Sequence, residues 1–274
     1  MQLFSRKVGE SGTPLIILHG VFGSADNWAT IQKQLAEAGF TSYALDARNH
    51  GRSPWSDDFS YELMADDLLT FIEEQELEQP VIIGHSMGGK VAMQFSMKYP
   101  DAFSKLVIVD IAPKFYPTHH DHIVQAFSSI DLGQYQSRKE VDVAFAKFVP
   151  NFDERQFLMK NLGRDANGQF EWKINVPVLA KEIYQIGGEL SNVHVVQKPT
   201  LFIRGERSPY IQPEDENTIL SIYPNAQFET ILAAGHWVQA EQPKAFLEAL
   251  LQFLNAWRQE TIDNFEKLVY LKGL

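Results

Sequence analysis

The sequence predicts an α/β fold: a mostly parallel central sheet with helices on both faces, interrupted by an inserted helical cap. Three observations lead there. Short β-branched runs alternate with amphipathic helical patterns from Pro14 to Ile111. That rhythm stops at Pro113 and resumes at Pro199. Each run is near-continuously apolar, as a strand covered on both faces must be.

The early strands are read at Pro14–Leu18, Ser42–Leu45, Pro80–Ile83 and Lys105–Val109. Helical patterns lie between them at Trp28–Ala38, Tyr61–Leu77 and Met87–Tyr99. In the second, Leu68, Leu69, Phe71 and Ile72 interleave with Asp67 and Glu74, giving one apolar and one acidic face. Residues 113–198 carry helix-like stretches and many aromatics, with one hairpin signal at Leu162–Asn175 around Asn167-Gly168. A strand at Pro199–Ile203, a helix near Gln212–Tyr223, a strand at Gln227–Leu232 and an amphipathic helix at Pro243–Trp257 complete the pattern. The expected division is a core of residues 1–112 and 199–274 with a cap of 113–198. The tail from Thr261 to Leu274 is uninformative.

The chain has 274 residues with 45% hydrophobic and 22% charged side chains, an ordinary globular composition. Its formal charge of −11 argues against nucleic acid or an anionic membrane surface as partner. No apolar run approaches a membrane span. With no cysteine, disulfides, thiolate metal sites and a Cys nucleophile are excluded. The start lacks the apolar core of a signal peptide, so a cytoplasmic protein is expected, as a monomer or small homo-oligomer.

Gly84-His85-Ser86-Met87-Gly88-Gly89 follows a strand and opens a helix. In that context Gly-x-Ser-x-Gly is a nucleophile elbow, presenting the Ser86 hydroxyl above the sheet; the bland alternative is an accidental glycine turn. Serine needs a base, and eight histidines compete. His236 lies after the last strand, where the order serine, acid, histidine expects it. His19, before Gly20 at the end of an early strand, reads as structural, and His85 in the elbow and His50 in a turn read as local packing residues. His119-His120-Asp121-His122 has metal-ligand character but nothing nearby completes a ligand set, so a solvated loop is favoured and no metal or cofactor is expected. The oxyanion needs fixed N–H donors: the Met87 amide, and the Val21 amide from His19-Gly20-Val21-Phe22-Gly23-Ser24, with Phe22 lining the pocket. His85, Ser208 and Trp237 are candidates for supporting or substrate contacts.

The acid departs from the common arrangement. Ser208 stands where folds of this plan carry Asp after the strand that follows the cap, and a serine cannot hold a histidine tautomer as a carboxylate does. Asp110, ending the neighbouring strand in Val109-Asp110-Ile111-Ala112-Pro113, lies on the same sheet edge as Ser86 and substitutes for it. Its bland role is a turn cap; Glu206 and Asp215 are weaker rivals.

Across nearly its whole length the chain resembles the α/β-hydrolase family, and within it the YbfF-type esterase group. The resemblance rests on the His19–Ser24 loop, Asp46-Ala47-Arg48-Asn49-His50-Gly51-Arg52-Ser53-Pro54, the elbow, the Asp110 segment, and the stretch from Leu162-Gly163-Arg164 to Phe170-Glu171-Trp172-Lys173. Asn49 is typical of that group, where most hydrolases of the fold have glycine. The resemblance implies the acid at Asp110 and hydrolysis of small to medium acyl esters or thioesters by Ser86, Asp110 and His236. A C–C bond hydrolase, a cofactor-free haloperoxidase and a non-catalytic binding relative are the other readings. Dehalogenase and epoxide-hydrolase chemistry would need an Asp where Ser86 stands. The aromatics Phe115, Tyr116, Phe127, Phe145, Phe148, Trp172 and Tyr184 suggest an apolar pocket under the cap, with only a minority of them touching substrate.

Overall fold

A computed structural model describes residues 1–117 and 120–256. The elements run β1 (Ser5–Val8), β2 (Pro14–Leu18), α1 (Ala29–Glu37), β3 (Thr41–Leu45), α2 (Tyr61–Glu74), β4 (Val81–His85), α3 (Met87–Lys98) and β5 (Lys105–Val109). Then come α4 (Asp121–Ser129), α5 (Arg138–Phe145), α6 (Phe152–Leu158), β6 (Leu162–Arg164), β7 (Phe170–Trp172) and α7 (Val176–Ile186). The chain rejoins the sheet with β8 (Thr200–Gly205), α8 (Glu216–Ile222), β9 (Ala226–Ile231) and α9 (Val238–Glu241), and a final helix, α10, covers 243–256. The expected end of that helix at Trp257, and the tail beyond it, lie outside the described residues.

Seven strands form one sheet in the order β1-β3-β2-β4-β5-β8-β9. All neighbours are parallel except β1, which pairs antiparallel with β3 at the edge. The alternation of side chains along each strand separates two cores. Ile16 and Leu18 of β2, Ile82 of β4, and Leu106 and Ile108 of β5 pack with Leu68 and Phe71 of α2 and Phe95 of α3. Their neighbours Leu15, Ile17, Ile83, Val107 and Val109 pack on the other face with Ile31 and Leu35 of α1 and Phe246 and Leu250 of α10. This two-sided burial is why those strands read as unbroken apolar runs.

Between β5 and β8 the chain leaves the sheet. Phe127, Phe145 and Trp172 meet edge to face, with ring centroids 4.9–5.8 Å apart. The hairpin forms as expected, β6 against β7, with Gly168 at φ +79° in its turn. Where this excursion departs and returns, the buried Lys90 of α3 donates to the carbonyls of Lys114 (2.8 Å), Gly187 (3.2 Å) and Gly188. Burial pushes its ammonium down to about 8. One cation thus ties both crossing points to the helix that follows Ser86.

β1 was not expected, since Ser5-Arg6-Lys7-Val8 is polar and only half-buried at the sheet edge. The helix read near Gln212–Tyr223 begins later, at Glu216, because Pro213–Asp215 forms a 3₁₀ turn first.

Candidate active site

β4 ends at His85, and the chain turns into α3 through Ser86 at φ 53°, ψ −116°. A non-glycine residue rarely adopts this conformation, and it is retained only where the surroundings over-determine it. Here they do. A Cβ on Gly84 would lie 2.2 Å from the Gly88 carbonyl oxygen, and one on Gly88 2.5 Å from that of Leu18. The Ser86 N–H donates to the Val109 carbonyl at 3.0 Å.

One strand over, Asp110 repeats the geometry. It too has positive φ (54°), and its N–H donates to the Ile203 carbonyl at 2.8 Å. β4 and β5 pair with His85 opposite Val109, so Ser86 and Asp110 leave the sheet at the same level. The Asp110 carboxylate is fully buried. Its Oδ1 accepts the Gly205 N–H at 3.1 Å, and its Oδ2 accepts both the Ser208 hydroxyl and His236 Nδ1 at 2.7 Å. Three donors on one carboxylate compensate its burial. Glu206 and Asp215 are engaged elsewhere, with the Ala233 N–H and with Lys114.

His236 is held from two further directions. Its carbonyl accepts from His85 Nε2 at 2.8 Å, and its ring stacks on Tyr210 with centroids 4.0 Å apart. Burial pushes His85 down to about 3, so this imidazole is neutral and serves as a fixed donor.

Ser86 and His236 line one cavity of about 210 Å³. Among the described residues Ser86 Oγ has no hydrogen-bond partner, which leaves the hydroxyl facing that space. His19, Gly20, Val21, Phe22 and Gly23 line it as well. The Phe22 N–H is taken up by His50 Nε2 at 3.3 Å, and the Phe22 carbonyl by Asn161 Nδ2 at 2.8 Å. Burial pushes His50 down to about 3, so it accepts as a neutral ring while its Nδ1 faces the Arg48 carbonyl at 2.9 Å. With Phe22 committed, the amides of Val21 and Met87 are two of those without a protein acceptor among the described residues. His50 and Asn161, whose contact with the loop spans 139 residues, were not expected to act here.

Trp237 and Phe22 line the cavity, but none of the seven aromatics singled out in residues 113–198 does. The walls from that segment are His120, His122, Ile123, Glu154, Phe157 and Leu158. Phe115 and Tyr184 are exposed, while Phe127, Phe145 and Trp172 are consumed by packing on one another. His119 of the histidine cluster lies outside the described residues. Among those described, no three metal-ligating side chains converge.

A family model for the alpha/beta hydrolase fold matches residues 13–243. The chain belongs to the α/β-hydrolase family. Mouse sn-1-specific diacylglycerol lipase ABHD11 is 36% identical over 255 residues, covering 90% of this chain and 82% of that protein. Esterase YbfF of Escherichia coli K12 is 34% identical over 246 residues, covering 89% and 94%. Among solved structures, a marine microorganism esterase superposes with a TM-score of 0.89 at 46% identity, over 92% of this chain and 99% of that one. Among the described residues no helix of this hydrolase is long and apolar enough to cross a membrane.

Proposed function

We propose that this α/β-hydrolase is a serine carboxylesterase acting on small to medium acyl esters through Ser86, His236 and Asp110. The observation that carries the reading is the shared cavity. It holds a strained, unpartnered serine hydroxyl and a histidine whose Nδ1 rests on a buried carboxylate. That is the set of groups acyl transfer needs. Relatives named as esterases and lipases agree with it.

In this reading His236 Nε2 removes the Ser86 proton as Oγ bonds to the substrate carbonyl carbon. Asp110 holds the imidazole in the Nδ1–H tautomer and supports the imidazolium. The Val21 and Met87 amides receive the oxyanion. The intermediate collapses, the C–O bond to the alcohol breaks, and His236 returns the proton to the leaving oxygen. Water then attacks the acyl-enzyme by the same route and releases the acid. Residues 113–198 act as a cap: their side chains roof the cavity while the sheet edge supplies the chemistry.

The cavity is smaller than sites for drug-sized ligands, which fits a short or medium acyl group. The same groups would cleave a thioester, but among the described residues no lysine or arginine lines the cavity to meet the phosphates of an acyl-CoA, and Glu154 stands on its wall. Uncharged oxygen esters are therefore favoured. The test is a graded panel of p-nitrophenyl esters and matching acyl-CoAs with wild type and Ser86→Ala. Hydrolysis of the esters, abolished in the variant, is expected. Preference for acyl-CoA would favour the thioesterase, and equal rates in both proteins would overturn the reading.

A further inference from the structure

The His236 imidazole is fixed at Nδ1 by Asp110, a contact that still leaves the ring free to pivot about that bond. Its face is covered. The Tyr210 ring lies over it with centroids 4.0 Å apart and planes inclined by only 18°. Tyr210 is itself tied down on both sides of its backbone. Its N–H donates to the Ser208 hydroxyl at 3.3 Å, the same hydroxyl that donates to Asp110. Its carbonyl accepts from the Tyr116 hydroxyl at 2.6 Å. That hydroxyl accepts the Ala112 N–H at 2.8 Å, two residues beyond Asp110, and the Tyr116 ring packs on Tyr210 with centroids 5.2 Å apart. The hydrogen bonds close a frame from Asp110 through Ser208, Tyr210 and Tyr116 back to Ala112, just beyond Asp110.

We propose that Tyr210 is the positioning residue for His236. Its ring is a platform that keeps the imidazole plane aimed so that Nε2 meets Ser86, and Tyr116 anchors the platform to the start of the segment beyond β5. This rests on the esterase reading of the site. The flat stack restricts rotation about the Asp110 bond, and the face of an aromatic ring also attracts the imidazolium formed in the reaction. The hydroxyl of Tyr210 has no part in this; burial and the Asp110 charge push it up to about 12, so it stays protonated.

The test compares wild type, Tyr210→Phe, Tyr210→Leu, Tyr116→Phe and Ser86→Ala on p-nitrophenyl acetate, whose acyl group is too short to need the far cavity walls. Alongside, the His236 Cε1 proton is followed by NMR in protein with labelled histidine. Tyr210→Phe keeps kcat within about two-fold and keeps the proton's ring-current shift. Tyr210→Leu loses about 10- to 100-fold in kcat with KM little changed, as misaimed catalytic groups do, and the proton moves downfield. Tyr116→Phe falls between them. Should Tyr210→Leu fold poorly, Tyr210→Met is expected to behave the same way. The inference is overturned if Tyr210→Leu or Tyr210→Met keeps kcat and raises only KM, which would make Tyr210 a pocket wall. It is equally overturned if Tyr210→Phe falls as far as Tyr210→Leu, which would give the role to the hydroxyl. Failure of the esterase reading looks different: wild type and Ser86→Ala would then hydrolyse the ester alike.

Discussion

Ser208 and His236 bond to the same oxygen of Asp110, the hydroxyl and the imidazole Nδ1 converging on Oδ2. The residue at the position where folds of this plan commonly carry the acid therefore bonds to the carboxylate proposed here as the acid. The carboxylate keeps its place beside the histidine although it comes from the neighbouring strand.

Asp110→Asn and Ser208→Ala should consequently differ by orders of magnitude. Asn preserves shape but favours the wrong histidine tautomer, which in the serine-protease case used to define this effect costs about 10⁴-fold in kcat. Ser208→Ala removes a hydrogen bond worth about 1.5–3 kcal/mol when the acceptor is charged, but leaves two donors on Asp110 and costs roughly ten- to hundred-fold. Steady-state kinetics at neutral pH, with circular dichroism to verify folding, measure both. A larger loss in Ser208→Ala, or in a Glu206 variant, would move the acid elsewhere.

Acyl-length preference should follow the residues that face the cavity. Replacing Phe157 or Ile123 with Ala is expected to move the optimum toward longer chains, by about 1–3 kcal/mol per methylene discriminated at most. Phe115→Ala and Tyr184→Ala, on exposed rings, should leave the profile unchanged. The kcat/KM ratio across a straight-chain ester series is the measurement, and a shift in the second pair instead of the first would relocate the pocket.

That contrast marks where the sequence stopped being readable. The elbow was legible because Gly84 and Gly88 answer to a backbone approach that no side chain survives, and such constraints are written locally. The place of Asp110 beside Ser86 was legible because a carboxylate following a parallel strand has one sheet edge to lie on. The cavity wall was not: Phe127, Phe145, Trp172 and the cavity-facing Phe157 are all aromatic, and only the packing of α4–α6 and β7 decides which of them turn inward. Tyr210 was missed for a related reason, since its stack on His236 joins two loops that nothing in either loop announces. β1 escaped because a polar edge strand carries no apolar run.

Stability should fall on mild acidification. Burial holds His50 and His85 near 3, and lowers His19 as well, against about 6.5 for a histidine in the unfolded chain. Between those values the unfolded state binds more protons than the native one, so these groups favour folding fully above about pH 6.5 and progressively less as pH drops toward 3. His50 and His85 each contribute on the order of 1 kcal/mol per pH unit within that window. Urea midpoints taken at about pH 7 and about pH 5 should show the decline; equal midpoints, or a rise on acidification, would contradict it.

Lys90→Met should loosen the segment beyond β5. It leaves the carbonyls of Lys114 and Gly188 without their donor, while Gly187 keeps the Tyr116 N–H, and a buried acceptor left unpaired costs about 1–3 kcal/mol. Limited proteolysis is expected to cut within residues 113–198 of the variant before the core, with a lower urea midpoint. Unchanged cleavage and stability would show that the cation is not what ties the two crossing points.

The central claim is that Ser86 is the nucleophile and His236 its base. A fluorophosphonate offered to the wild type, followed by intact mass and peptide mapping, tests it most directly. One adduct on the peptide containing Ser86 is expected, absent in Ser86→Ala and slowed by orders of magnitude in His236→Ala. An adduct on another residue, or labelling of Ser86→Ala at the wild-type rate, would contradict the account.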